Sequence, residues 1–239
     1  MTPPMFRAST DAARTDLITL DGAEGHHAAD VLRLRPGEPI WLTDGHGMRW
    51  EGVVGEVRRG ALDVDVVRVV EEPLPTPRLV VAQALAKGGR DEAAVEAMTE
   101  VGVDAVIGWS AARSVAKWTD RTAAKWRSTV DAASKQARRC WWPEVTGPVT
   151  IADLVERIEV TDVAVVLHES ATGSLAAIDL TGKREVVVVV GPEGGIADDE
   201  LTALTAAGAQ PVRLGSTVLR SSTAGVAALS AICVRTRWA

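Results

Sequence analysis

The sequence predicts an α/β protein in two parts, a small N-terminal β domain followed by a larger domain on a mainly parallel, doubly wound sheet. Three observations carry this. The stretch Glu71-Glu72-Pro73-Leu74-Pro75-Thr76-Pro77 holds three prolines in five residues, too many for a helix or a central strand. Upstream of it the pattern is that of antiparallel strands separated by glycine turns. Downstream, short apolar runs alternate with helical patterns, as in a sheet whose strands are joined by helical crossovers. The expected boundaries are a β domain at 1–72, a linker at 73–77 and an α/β domain at 78–239.

In the first part, a short helix around Gly25 to Leu34 precedes strands at Pro39–Thr43, Met48–Val57 and Ala61–Val70. Asp44-Gly45-His46-Gly47 and Arg58-Arg59-Gly60 separate them. The alternation Leu62-Asp63-Val64-Asp65-Val66 is that of a half-buried antiparallel strand. In the second part, strands are expected at Leu79–Ala84, Val103–Gly108, Val163–Leu167, Val186–Val190 and Pro211–Leu214. Helices are expected at Asp91–Val101, closed by Gly102, then at Asp120–Arg138, Leu201–Ala207 and Thr223–Thr236. The five consecutive valines Val186 to Val190 read as a strand buried on both faces.

Composition bounds the function. The chain has 239 residues, 46% of them hydrophobic, enough for a sizeable core. No apolar run approaches the ~18 residues of a membrane span, and MTPPMFRAST lacks the apolar core of a secretory signal. Cys140 and Cys233 have neither the number nor the spacing of a disulfide framework or a zinc site, so a reducing cytoplasm is expected, with no metal and no membrane. Net charge is −6, yet the segment Arg113–Trp142 carries eight cations against Asp120 and Asp131, and four of the eight tryptophans. Cations interleaved with aromatics suit a phosphate backbone and unstacked bases. A solvated amphipathic helix with tryptophans in the core fits the same pattern equally well.

The most informative stretch is 185–229. The valine strand runs into Gly191-Pro192-Glu193-Gly194-Gly195, and Asp198-Asp199-Glu200 then opens a helix, where carboxylates suit the positive end of the dipole. A second strand ends at Leu214-Gly215, and its loop leads through Leu219-Arg220 into the last helix. Glycine loops at the carboxyl ends of parallel strands are where an α/β sheet holds a ligand. Neither G-x-G-x-x-G nor G-x-x-x-x-G-K-[ST] is present, which argues against a dinucleotide or a P-loop nucleotide. His168, at the end of the Val163–Leu167 strand, is the one histidine placed to face such a crevice.

At this point the residues resemble a known family. Gly191-Pro192-Glu193-Gly194-Gly195 with Leu214-Gly215 and Val218-Leu219-Arg220 is similar to the cofactor region of the bacterial small-subunit ribosomal RNA uridine-N3 methyltransferases, the RsmE family of the SPOUT class. HAADVLRLRPG, from His27 to Gly37, resembles that family's PUA-like RNA-binding segment. Lys87-Gly88, Glu100-Val101-Gly102-Val103, Arg113-Ser114-Val115, Gln136 with Arg139, and Pro143-Glu144 resemble further elements, in order along nearly the whole chain. The chain departs from the family pattern at Ser222, where a glutamate is usual, at Ala97, where a lysine is frequent, and at Lys135.

The resemblance implies a small PUA-like β-barrel followed by a SPOUT domain with a deep trefoil knot, a rare exception to unknotted topology. It implies S-adenosylmethionine as cofactor, a homodimer, and 16S ribosomal RNA or the small ribosomal subunit as partner. The cofactor-binding residues would be Leu167, His168, Glu169, Gly191, Glu193, Gly194, Gly195, Ile196, Leu214, Gly215, Ser216 and Leu219. Arg220 would be catalytic, stabilising charge on a uracil carbonyl as N3 loses its proton. Arg7, Arg33 and Arg35 in the β domain, and Arg113, Lys117, Arg138 and Arg139 in the other, would meet RNA. Two other classes fit the same motifs: a non-catalytic RNA-binding or ribosome-assembly protein with this fold, and a SPOUT ribose 2′-O-methyltransferase.

Overall fold

A computed structural model describes residues 2–8 and 16–238. The chain forms two compact units, Met1–Leu74 with Ser134–Trp142, and Pro75–Ala133 with Pro143–Ala239. The chain passes from one unit to the other at 74/75, 133/134 and 142/143, so residues 134–142 belong with the N-terminal unit.

In the first unit, strands β1 (Met5–Arg7), β2 (Leu17–Leu20), β3 (Pro39–Thr43), β4 (Met48–Arg58) and β5 (Ala61–Glu71) form one sheet in the order β1-β3-β4-β5-β2. All pairs but β1 with β3 are antiparallel. The alternation read in β5 is realised: Leu62 and Val64 are buried with Phe6, Ile40, Leu42 and Trp50, while Asp63 turns outward to Arg58 and Thr19. The expected helix is a short α1 (Gly22–His26) running into a π-helical turn, His27–Val31.

The 134–142 segment is fastened to this sheet. Lys135 Nζ lies 2.6 Å from Glu24 Oε1, and Arg138 Nε donates to the Pro3 carbonyl at 3.0 Å. Trp141 Nε1 donates to the Glu72 carbonyl at 2.9 Å, and the Arg7 guanidinium stacks 4.9 Å above Trp142. Arg49 pairs with Glu51 and Glu72 beside the buried Cys140 thiol.

The second unit carries a seven-stranded, all-parallel sheet. Its strands are β6 (Arg78–Ala84), β7 (Ala105–Trp109), β8 (Glu144–Val149), β9 (Val163–Leu167), β10 (Gly173–Ser174), β11 (Glu185–Val190) and β12 (Gln210–Arg213), in the order β10-β12-β9-β11-β6-β7-β8. The valine strand β11 lies inside the sheet, paired to β6 and β9. Because side chains alternate across a strand, its valines serve two layers. Val186, Val188 and Val190 join the core formed with α2 (Arg90–Val101), α3 (Asp120–Gln136) and α6 (Ser221–Val234), through Met98, Trp126 and Leu229. Val187 and Val189 face the opposite core, with Leu154 and Ile158 of α4 (Ile151–Glu159) and Leu204 of α5 (Asp198–Ala206). A run apolar at every position is what a strand covered on both faces requires.

The structure adds elements the sequence reading lacked. Strand β8 contains Gly147 and Pro148, residues that weaken a strand, and it survives as the edge of the sheet, where a missing N–H costs no ladder bond. Helix α4 is announced by Thr150 and Asp153, which form a reciprocal capping box. Strands β1 and β10 are three and two residues long, too short for periodicity to register. At the C-terminus, Arg237 donates to the carbonyls of Pro77 and Gly102 and pairs with Asp104, closing the chain onto the start of its own unit.

Candidate active site

Three loops meet at the carboxyl ends of β9, β11 and β12 and enclose a cleft of about 320 Å3, within the size range of small-molecule sites. They are adjacent because β12 pairs with β9 and β9 with β11; His168 N donates to the Val212 carbonyl at 3.0 Å, continuing the ladder into the loops. Leu167, Ile196, Leu214 and Leu219 supply apolar wall. The N-terminus of α6, beginning after Arg220, closes one side, with Ser221 and Ala224 on the wall.

The shape of the 191–197 loop depends on close packing. A Cβ on Gly191 would lie 2.7 Å from Ile196 Cγ1, so only glycine lets Ile196 fold beneath the loop, where it is buried. Arg113 Nη1 donates to the carbonyls of Gly194 and Ile196, both at 3.4 Å. Glu200, only 6% exposed, accepts from Ala112 N at 2.7 Å with one oxygen and from Ala197 N at 3.0 Å with the other. The glycine loop is therefore held by residues that precede α3. Preorganised backbone of this kind presents amides and carbonyls to a ligand without ordering them at the moment of binding.

The charged groups differ in their engagement. Glu193 Oε1 accepts from Lys87 N and from Arg90 Nη1, each at 3.3 Å. His168 Nδ1 accepts from the Ser170 amide at 3.3 Å and lies 2.9 Å from Ser170 Oγ. The Nδ1 side of the ring is thus taken up by Ser170. Arg220 lines the cleft, and its guanidinium has no hydrogen bond or carboxylate partner among the described residues; its backbone carbonyl accepts from Thr223 N, Thr223 Oγ1 and Ala224 N.

Of the residues expected to hold a cofactor, Leu167, His168, Glu169, Gly191, Glu193, Gly195, Ile196, Leu214 and Leu219 line the cleft. Gly194, Gly215 and Ser216 lie in the same loops but off its wall. The structure also places Arg90, Arg213 and Ser221 on the wall. Arg90 opens α2 directly after Gly88-Gly89, a glycine pair that could have marked it; Arg213 and Ser221 carry no distinctive local signal.

The basic segment reads differently once folded. Trp126 is fully buried and donates to Asp91 Oδ2 at 3.2 Å, and Trp118 meets it edge to face with ring centroids 5.0 Å apart. Burial raises the Asp91 carboxyl above its ordinary range, the Trp126 bond opposing that rise. Trp141 and Trp142 pack on Gly47 and Gly45. Of the four tryptophans, Trp126 is a core residue as the second reading of this segment has it, while Trp118, Trp141 and Trp142 are half-buried. Among the cations expected to meet RNA, Arg113 donates to carbonyls of the glycine loop and Arg138 to the Pro3 carbonyl. Arg139 is half-buried, its carbonyl accepting from Trp142 Nε1. Arg33, Arg35 and Lys117 are exposed, and Arg7 is exposed above Trp142.

Among the described residues no group of His, Cys, Asp or Glu could hold a metal ion, and no helix is long and apolar enough to cross a membrane.

Comparison with known proteins agrees with this architecture. Family models match residues 72–233, described as an RNA methyltransferase domain, and residues 20–67, described as an RNA methyltransferase PUA domain. The chain is 44% identical over 247 aligned positions to a Mycobacterium bovis protein named ribosomal RNA small subunit methyltransferase E, covering all of this chain and 94% of that one. A Legionella pneumophila candidate methyltransferase, solved with bound cofactor SAM, superposes with a TM-score of 0.88 at 26% identity over 98% of both chains. A Neisseria gonorrhoeae ribosomal RNA small subunit methyltransferase E shares the fold, with a TM-score of 0.88, 22% identity and 98% coverage of both chains.

Proposed function

We propose, for a chain that belongs to the ribosomal RNA small subunit methyltransferase E family, that it transfers a methyl group from S-adenosylmethionine to N3 of a uridine in 16S ribosomal RNA. The observation that carries the reading is the composition of the cleft: apolar walls and glycine-bearing backbone on its loops, with Arg220, whose guanidinium has no partner among the described residues, at the start of α6. The residues present fit the cofactor. Leu167, Ile196, Leu214 and Leu219 offer apolar surface to its adenine, and the loop at Gly191–Ile196 offers backbone polar groups. When bound, S-adenosylmethionine supplies a strongly electrophilic methyl on a sulfonium.

The chain's own task is then alignment and charge stabilisation. Loss of the N3 proton leaves negative charge on the uracil carbonyl oxygens. Arg220, permanently charged and planar, stabilises that charge as it develops, a contribution of a few kcal/mol for a preorganised donor. The α6 N-terminus adds a positive dipole end on the same side. The departing N3 proton is assigned to solvent, which reaches the exposed Glu169–Ser170 end of the loop after β9.

The homodimer and the trefoil knot belong to this proposal. Exposed Val218 (75%), Val234 (61%) and Trp238 (55%) in the second unit support the first, and light scattering on the purified chain tests it. Insertion of β12 between β9 and β10, and of β11 between β6 and β9, supports the second. Calorimetric titration with S-adenosylmethionine, followed by transfer of a labelled methyl group to small-subunit RNA, tests the activity. Saturable binding with transfer is expected. Binding without transfer to small-subunit RNA or to assembled subunits would favour a ribosome-assembly role instead.

A further inference from the structure

The charges on the cleft are not evenly satisfied. Three arginines, Arg90, Arg213 and Arg220, are among its lining residues, with two acidic residues, Glu169 and Glu193. Arg90 is answered by Glu193 at 3.3 Å. Arg213, at the end of β12, has neither a side-chain hydrogen bond nor a carboxylate within ion-pair distance among the described residues, and neither has Arg220. Both are exposed, one at each end of the loop that carries the apolar Val218 and Leu219. In a chain of net charge −6, two guanidiniums without a carboxylate partner, at the two ends of one loop, are a local positive excess suited to an anion.

The cofactor does not supply that anion. S-adenosylmethionine carries a sulfonium and an ammonium against one carboxylate, so its net charge is positive and it brings no surplus anion to pair with these arginines. The unpaired Glu169, at the end of neighbouring β9, suits that cation better. A nucleotide, by contrast, brings one negative phosphate for each base. Arg matches phosphate geometry with a planar fork of donors. One of the two guanidiniums is assigned to the base; the other is left over.

We propose that Arg213 binds a backbone phosphate of the nucleotide being methylated, so that the two ends of the β12–α6 loop hold one nucleotide, Arg220 at its base and Arg213 at its backbone. The inference rests on the reading that this cleft methylates RNA, and it adds a positioning residue that no motif announced. Arg213 takes no part in the chemistry: it fixes the register in which the uracil enters. Phosphate contacts give affinity and register, while base contacts give the reaction its target. Replacement of Arg213 therefore acts on KM for RNA and on its salt dependence, and leaves cofactor affinity unchanged.

The test compares wild type, Arg213→Gln and Arg213→Lys on small-subunit RNA, with cofactor affinity measured by calorimetry and the methylated nucleoside identified by mass spectrometry. For R213Q we expect unchanged S-adenosylmethionine affinity, kcat within about twofold, and KM for RNA raised roughly tenfold at low salt. The slope of log KM against log salt should shrink by about 0.7, the value of one phosphate contact on a single strand. R213K, which keeps the charge and loses the fork, should restore most of the slope but not all of the affinity. Wild-type KM and slope in R213Q would overturn the inference alone, as would a loss of cofactor binding. Absence of N3-methyluridine from the wild-type reaction would overturn the functional reading and this inference with it.

Discussion

Arg113 and Gly194 occupy one space: a Cβ on Gly194 would lie 3.1 Å from Arg113 Cβ and 3.3 Å from the Arg113 carbonyl oxygen. The glycine lets the arginine backbone pass, and the arginine in turn donates to the carbonyls of Gly194 and Ile196. Gly194 lies off the cleft wall, so its effect on the cofactor is through loop shape. Gly194→Ala is expected to raise the Kd for S-adenosylmethionine roughly tenfold, about 1.4 kcal/mol, within the cost of overpacking. Calorimetry checks it. A Kd equal to wild type would show that the 191–197 loop tolerates displacement.

Arg220→Ala separates binding from chemistry. The side chain has no partner within the described chain, so its removal leaves no buried charge behind and the fold should be unaffected. Cofactor affinity should stay within a few-fold while kcat falls by about 10²–10³, as for loss of one preorganised donor at a developing oxyanion. Single-turnover rates with saturating RNA make the measurement. A change confined to KM would move Arg220 from the reacting base to the backbone.

The closure of the C-terminus rests on a buried pair. The side chains of Arg237 and Asp104 are 10% and 8% exposed, and Asp104 Oδ2 also accepts Leu79 N at 2.7 Å. Arg237→Met strands a carboxylate and the carbonyls of Pro77 and Gly102, so a loss of about 3–5 kcal/mol in unfolding free energy is expected. Urea denaturation reads it. A loss under about 1 kcal/mol would mean that water reaches Asp104 and replaces the guanidinium.

Cys140 predicts a pH dependence. Burial, followed by the neighbouring Glu72 carboxylate, pushes its thiol up to about 12, with Arg49 opposing. A group whose pKa is raised on folding contributes stability that is full below the unfolded value, near 9, and is lost as pH rises toward the folded one. Relative to Cys140→Ala, wild type should therefore lose on the order of 2 kcal/mol of additional stability between about pH 8 and about pH 10.5. The chain contains no tyrosine, so no phenol titrates over the same interval. Parallel curves for the two proteins would contradict the assignment.

Where local pattern decides structure, the sequence was readable. The valines of β11 alternate between two cores because a strand covered on both faces must be apolar throughout. Leu62 and Val64 face inward and Asp63 outward as their period of two requires. The glycine loops and Arg220 came from position at strand ends and from the family motif. Tertiary pairing was not readable. Trp118 and Trp126 are a packed pair, and Arg113 and Arg138 are bound to carbonyls 81 and 135 residues away in sequence. Charge and aromatic spacing within a segment carry no information about such partners. Strand β8 was hidden for the opposite reason, since Gly147 and Pro148 obscure a strand that the edge of a sheet accepts.

The central claim is the atom that receives the methyl group. Small-subunit RNA incubated with the wild-type chain and S-adenosylmethionine, digested to nucleosides and resolved by mass spectrometry against standards, tests it directly. The account predicts N3-methyluridine, formed by wild type and reduced by about 10²–10³ in initial rate with Arg220→Ala. A ribose 2′-O-methyl nucleoside, or no methylated nucleoside from a chain that binds the cofactor, would contradict it.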